Sequence, residues 1–180
     1  MSTLKVPVVA EDHIQGDANA VCTLVEYGDY ECPYCGQAYP IVKRIQKHFG
    51  DRLRLVFRNF PLKEMHPHAE FAAETAEFAA AHGKFWEMHD ALYENQTHLG
   101  GPLYEELAKK LKLAPADLAA SLEKREFQAK VRADFSGGVR SGVNGTPTFF
   151  INGQRHDDSY EYEVLVAAIE AALPKASAAQ

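Results

Sequence analysis

From Val21 to Asp29 the sequence VCTLVEYGD is apolar and β-branched and stops at turn residues, the mark of a buried strand. Pro33 follows closely. Its missing N–H costs nothing in the first turn of a helix, and YCGQAYPIVKRIQKHFG continues with Ile41, Val42, Ile45 and Phe49 at helical spacing before Gly50. Pro40 within that run predicts a kink. Arg52 to Phe60, RLRLVFRNF, alternates basic and apolar residues and is closed by Pro61, which reads as a second strand. Strand, helix and strand make a βαβ unit, with Cys32 and Cys35 at the junction of the first strand and the helix.

Between about Pro67 and Ser141 the sequence turns alanine-rich and helical, with Phe71, Thr75 and Phe78 marking one face and Phe85, His89 and Leu92 another. Four or five short helices are expected there. The glycine-rich SGGVRSGVNG is expected to close the block as a turn. TPTFFING then reads as a short strand turning at Asn152-Gly153, and YEYEVLVAAIEAAL as a last helix before Pro174. The expected organisation is a discontinuous α/β domain, 1–62 and 142–174, with a helical insertion at 63–141 and a loose tail at 175–180.

With 180 residues and 46% hydrophobic content the chain has ample material for a core. Its formal net charge is -6 and its basic residues are scattered, which argues against nucleic acid as a partner. The start, MSTLKVPVVAEDHIQGDANA, has no apolar core of leader length, and no later run approaches the roughly 20 apolar residues of a membrane span. No membrane partner and a cytoplasmic location are therefore expected. Three cysteines are too few for a disulfide scaffold, so any disulfide here is expected to be a working one.

Cys-x-x-Cys spacing fits half a zinc site, a structural pair or a redox centre. At the start of a helix, Cys32 faces unpaired N–H groups and the positive end of the helix dipole, a setting that favours the thiolate and hence nucleophilic attack. Cys35, about one turn on, can attack a mixed disulfide at Cys32 and release the product. A structural zinc site needs four ligands, and no second Cys-x-x-Cys exists. Cys22 falls in the buried strand, and His66 and His68, beside Pro67, read as a helix start without zinc-finger spacing. The other histidines, His13, His48, His82, His89, His98 and His156, are scattered. No metal and no cofactor are expected. GVRSGVNG has glycines at phosphate-loop spacing, but Val143 and Asn144 stand where Lys and Ser or Thr are required.

Glu26 lies six residues before Cys32, Cys-Pro-Tyr-Cys opens a helix, and Thr146-Pro147 precedes a short apolar strand; this combination resembles the thioredoxin superfamily. TLVEYGDYECPYC, HPHAEFAAE, GKFWEMHDALYENQ and GVNGTPTFFING, with the helical block between the halves, are similar to the DsbA-like thiol-disulfide oxidoreductases over nearly the whole chain. Glutaredoxins share Cys-Pro-Tyr-Cys but are shorter and carry a Gly-Gly that INGQRHDDSY lacks. The resemblance implies an α/β thioredoxin fold with an inserted α-helical domain, and a dithiol/disulfide exchange enzyme with Cys32 attacking and Cys35 resolving. It implies that Pro147, after Thr146, is a cis-proline facing the pair and leaving backbone free for a bound peptide. Pro33 and Tyr34 would join them in binding substrate, and Tyr30, Tyr34 and the helical insertion suggest an apolar rim. Glu26 matches a buried acid beneath Cys35; burial there would raise its pKa and make it a proton acceptor near neutral pH.

Glu26, Asp29 and Glu31 precede Cys32, and the first basic residue after it, Lys43, is roughly 16 Å along the helix by its rise. No cation close in sequence helps the thiolate, so the reduced form is expected to be stabilised less than in a strongly oxidising relative, pointing to a cytoplasmic reductase or thiol-repair enzyme. Its partners would be disulfide- or thiol-containing proteins, with glutathione as a small-thiol candidate. The alternatives are a glutathione-dependent isomerase or transferase and a peptide-binding, chaperone-like module.

Overall fold

The computed structural model describes residues 2–174; the tail expected at 175–180 lies outside them. Five strands, His13–Gly16 (β1), Cys22–Gly28 (β2), Leu53–Asn59 (β3), Thr148–Ile151 (β4) and Gln154–His156 (β5), form one mixed sheet in the order β1-β3-β2-β4-β5. Helix α1 (Pro33–Phe49) carries the chain from β2 to β3, and the two strands pair in parallel with Glu26 opposite Phe57. A parallel pair needs such a crossover. Helix α1 continues through Pro40 to Phe49. β1, β4 and β5 join antiparallel, the last two through a tight turn in which Asn152 and Gly153 both take positive φ.

Five helices lie between β3 and β4: α2 (Ala69–Ala81), α3 (Phe85–Glu94), α4 (Gly101–Lys110), α5 (Pro115–Lys124) and α6 (Gln128–Arg140). Of the two expected faces, Thr75, Phe78, Phe85, His89 and Leu92 are buried, while Phe71 is partly exposed. The chain ends, among the described residues, with α7 (Tyr162–Ala172). Strand alternation sends Leu24, Leu55, Phe149 and Ile151 to one face, under Val42, Ile45 and Phe49 of α1 and Leu165 and Ile169 of α7. Val25, Tyr27, Val56 and Phe150 point to the other, where Phe60, Val143 and Phe135 meet them. A separate core inside the inserted helices, with Ala72, Ala76, Met88, Leu92 and Leu107, closes around Tyr30 and Phe57.

Two features depart from the sequence reading. β1 has no apolar run to announce it, because its four residues, HIQG, are only partly buried at a sheet edge. The glycines expected in a turn at 137 and 138 lie inside α6. A Cβ on Gly138 would sit 2.7 Å from Phe60 Cδ2 and 3.0 Å from Tyr27 Cδ1. Helical propensity is sacrificed there, at about 1 kcal/mol per glycine, so that α6 can press directly onto the aromatic rings of the sheet. The turn begins only at Ser141, and Gly142 takes a positive φ of 84°.

Polar ties hold these layers in register. Asn59 Nδ2 donates to Glu77 Oε1 (2.7 Å) and Asp134 Oδ2 (3.1 Å), and His13 Nε2 lies 2.8 Å from Glu77 Oε1, joining β1 and β3 to α2 and α6. The segment ahead of β1 is equally fastened. Arg58 grips Asp12 with two bonds of 2.8 Å and donates to the carbonyls of Val6 and Pro7 (2.9 Å each) and to the Tyr27 hydroxyl (3.0 Å). Leu4 N–H donates to Gly153 O (2.9 Å), Lys5 N–H to Ser141 Oγ (2.9 Å), and Arg155 N–H to Ser2 O (3.0 Å). Because the Arg58–Asp12 side chains are only 3% and 6% exposed, removing one partner strands the other. Arg58→Met is expected to cost about 3–5 kcal/mol, read as a lower midpoint in urea unfolding followed by the fluorescence of Trp86; a midpoint within error of the parent would contradict it.

Candidate active site

The site begins where β2 ends. Cys32 is the N-cap of α1, in extended backbone geometry (φ -69°, ψ 122°), with Pro33 in the first turn behind it. Its side chain makes no regular capping bond, and the sulfur sits at the positive helix end beside the N–H groups of Tyr34 and Cys35. Cys35 lies one turn deeper, fully buried, with its Sγ accepting the Asp29 N–H at 3.5 Å. Both are free thiols. Cys22 is buried elsewhere, in the core between sheet and α1. Among the described residues no three His, Cys, Asp or Glu side chains are grouped to hold a metal ion.

Opposite the pair, the Thr146-Pro147 peptide bond is cis, and the Thr146 carbonyl oxygen lies 3.5 Å from Cys32 Sγ. Thr148 Oγ1 donates to Gly145 O (2.7 Å) and braces the loop. Tyr34, 61% exposed, and Pro33, also exposed, stand at the rim beside Cys32. The six residues Cys32, Cys35, Thr146, Pro147, Pro33 and Tyr34 thus come together at one end of the sheet. Glu26 is the innermost element. By alternation it shares the face of Cys22 and Leu24, the one α1 covers, and it is buried with Oε1 unpartnered among the described residues.

Electrostatics split the two thiols. A hydrogen bond from Cys35 leads the lowering of the Cys32 pKa to about 5; burial opposes it, and Thr146 and the N–H groups of Cys35 and Tyr34 add to it. The Cys35 thiol is pushed well above its ordinary value, chiefly by burial and then by Cys32 and the charge of Glu26. Burial alone raises Glu26 to about 8. The two thiols are thus pushed in opposite directions, Cys32 towards the thiolate and Cys35 towards the thiol.

Several neighbours escape sequence reasoning because the fold imports them from afar. Gln96, after α3, donates through Nε2 to the carbonyls of Tyr30 (2.9 Å) and Cys32 (2.8 Å), and Gly36 makes room for it: a Cβ there would meet Gln96 Oε1 at 2.2 Å. Tyr160, ahead of α7, reaches Gln37 Oε1 (3.2 Å) and lies close enough for the thiols to raise its pKa, after burial. His66 and His68 do lead into α2, with His68 as its N-cap, but that turn folds back on the Cys32 turn. His66 Nδ1 is 2.8 Å from Asp29 Oδ2, and His68 Nδ1 is 2.8 Å from Glu31 Oε1.

A sequence-family model described as Thioredoxin matches residues 9–171. Among solved structures, BdbD from Bacillus subtilis superposes with a TM-score of 0.86 at 26% identity, covering 95% of this chain and 97% of its own. A thioredoxin-like oxidoreductase from Silicibacter pomeroyi follows at TM-score 0.80 and 26% identity, over 91% and 93%. A periplasmic thioredoxin-like protein from Salmonella enterica shares the fold at TM-score 0.74 and 20% identity, over 89% of each chain. A curated relative named Na(+)/H(+) antiporter NhaA 1, from Salinispora arenicola, is 44% identical over 171 residues, 94% of this chain but 26% of its own length. The chain spans about a quarter of the length of the curated relatives it matches. The chain belongs to the thioredoxin family, in its DsbA-like branch, and has the α/β fold of that branch's thiol-disulfide oxidoreductases.

The comparisons correct the expected location. The structural neighbours include a protein described as periplasmic and others of DsbA type, which points away from the cytoplasm. The cytoplasmic expectation was read from the composition of the first twenty residues and from the lengths of the apolar runs, neither of which fixes a compartment. No helix among the described residues is long and apolar enough to cross a membrane.

Proposed function

We propose that the chain exchanges disulfides with thiol- or disulfide-bearing protein substrates through Cys32 and Cys35. The observation that carries this reading is the geometry of two free thiols one helical turn apart, Cys32 at the N-cap of α1 against the Thr146 carbonyl and Cys35 beneath it. That placement pushes the Cys32 pKa down and the Cys35 pKa up. In the reductive direction the Cys32 thiolate attacks a substrate S–S bond, forming a mixed disulfide and releasing one substrate thiolate. Cys35 then gives its proton to the Glu26 carboxylate and attacks Cys32 Sγ. The second substrate sulfur leaves as a thiolate, and both electrons have passed from the Cys32/Cys35 dithiol to the substrate. In the oxidative direction the same steps reverse, and Glu26 returns the proton to Cys35.

The cis Thr146-Pro147 loop, with Pro33 and Tyr34, is the proposed docking edge. Its backbone pairs with an extended substrate segment while the exposed ring of Tyr34 meets an apolar side chain. A thiolate stabilised to this degree favours the dithiol form of the enzyme, and hence oxidation of a substrate. That departs from the reductive direction read from the acidic residues around the motif. Glutathione enters this reading as a small thiol able to exchange with the pair.

The test is trapping. Cys35→Ser mixed with oxidised glutathione should form a mixed disulfide on Cys32 that persists, visible by intact mass and peptide mapping. No adduct on Cys32 would remove the proposal.

A further inference from the structure

The sequence near Cys32 is acidic, yet one of those acids is held where its charge is least welcome. Asp29 is enclosed, its Oδ1 accepting the N–H of Glu31 (2.8 Å) and of Cys32 (3.2 Å) and its Oδ2 accepting the N–H of Leu62 (2.8 Å). These bonds clamp the turn that presents Cys32 to the turn that opens the inserted helices, so the carboxylate cannot leave without freeing the loop. Its charge, one hydrogen bond from the Cys32 backbone, opposes a thiolate on the same residue. His66 closes the remaining position: Nδ1 lies 2.8 Å from Asp29 Oδ2, and its side chain, 15% exposed, retains access to solvent protons.

We propose that His66 is a positioning residue of the redox pair: as the imidazolium it cancels the charge of Asp29 in front of Cys32, and its deprotonation makes the pair's potential fall more steeply with pH. This rests on the oxidoreductase reading above. The groups facing His66 are Asp29, Glu31 and Cys32 from the strand–helix turn; on its own turn, His68 is engaged with Glu31, and Lys63 and Glu64 are exposed. Burial works against the charge on His66, but the bond to Asp29 and the charges of Asp29 and Cys32 outweigh it and raise the pKa above 6.5. The Cys32 charge exists only in the reduced protein, since the disulfide is neutral. The reduced form therefore holds the His66 proton more tightly, and by reciprocity that proton favours the reduced form. The benefit is present below the His66 pKa and is lost as pH rises through it.

Three measurements test this. In the reduced protein, His66→Gln should raise the midpoint of the far-ultraviolet thiolate absorbance, lowering the thiolate-to-thiol ratio about threefold to tenfold at a given pH. In glutathione buffers, where one protein disulfide and two glutathione thiols yield the dithiol and one glutathione disulfide, His66→Gln should shift the equilibrium by a similar factor towards the protein disulfide. That shift should be present at mildly acidic pH and vanish at alkaline pH. In the parent protein, the His66 imidazole followed by NMR should titrate at a higher pH in the reduced state than in the oxidised state. Any of the following overturns the proposal: equal His66 titrations in the two states, an unmoved thiolate midpoint, an equilibrium shift that is constant with pH, or an undiminished effect of His66→Gln in an Asp29→Asn background. The NMR comparison needs no variant to fold and no turnover, so it decides the role of His66 even if exchange with glutathione proves absent, which would instead defeat the oxidoreductase reading.

Discussion

Cys32→Ser is expected to abolish dithiothreitol-driven reduction of insulin, leaving only the uncatalysed rate. A serine hydroxyl at the same helix end is neither ionised near neutral pH nor able to form the mixed disulfide on which both directions of exchange depend. Cys35→Ser should behave differently, attacking normally through Cys32 and then stalling as trapped adducts. The contrast matters because the two sulfurs belong to one short stretch of helix and are both buried, Cys32 3% and Cys35 0% exposed. Yet only Cys32 faces the Thr146 carbonyl, and their pKa values are pushed in opposite directions. Insulin reduction by Cys32→Ser at the parent rate would place the chemistry elsewhere.

Glu26→Gln should slow the resolving step by about 10²-fold near neutral pH, at the lower end of general-base catalysis because water or direct ionisation of Cys35 recovers part of it. The first attack, by Cys32, should be little changed. In the parent, the rate of Cys35 attack should climb as pH rises through about 8, where Glu26 becomes the carboxylate; the variant should lack that inflection. Stopped-flow measurement of both half-reactions across pH separates the steps. Resolution at the parent rate at every pH, or equal slowing of both steps, would mean that Glu26 has no part in proton transfer.

A second signature of Glu26 lies in stability. The unfolded chain releases this proton near 4.5 and the folded chain near 8. Between those values the unfolded state binds fewer protons, so stability falls as pH rises, by up to roughly 5 kcal/mol if the whole shift is realised. Glu26→Gln should flatten this slope in urea titrations even if the rates were silent.

Much of the site was legible in the sequence because it is local. An apolar strand, a proline in the first helical turn and two cysteines three residues apart place Cys32 at a helix end and Cys35 a turn below without any knowledge of the sheet. The helices of the insertion were legible for a similar reason, each carrying its own apolar face. What stayed hidden is long-range. Nothing near Asp29 announces Leu62 and His66 as its partners, and nothing near Cys32 announces Gln96, because such pairings exist only after α1 and β3 have turned the chain back. β1 was missed because a four-residue edge strand lacks an apolar pattern. Gly137 and Gly138 misled for the opposite reason: glycine signals a turn locally, whereas here its smallness serves a close helix–sheet contact.

The fastening of residues 2–12 gives the frame of the site an unexpected reach. Leu4 and Ser2 are bonded to the β4–β5 hairpin, and Lys5 to Ser141 at the foot of the loop that leads to Thr146. Val6 and Pro7 are locked through Arg58 to β3. The loop facing Cys32 is thus braced on both flanks by a stretch that contributes no residue to the chemistry. For anyone trimming this domain or splicing it to another protein, the functional boundary lies ahead of the first strand. A cut at β1 would keep every thiol and every acid of the site while removing the backing that sets how far the Thr146 carbonyl stands from Cys32.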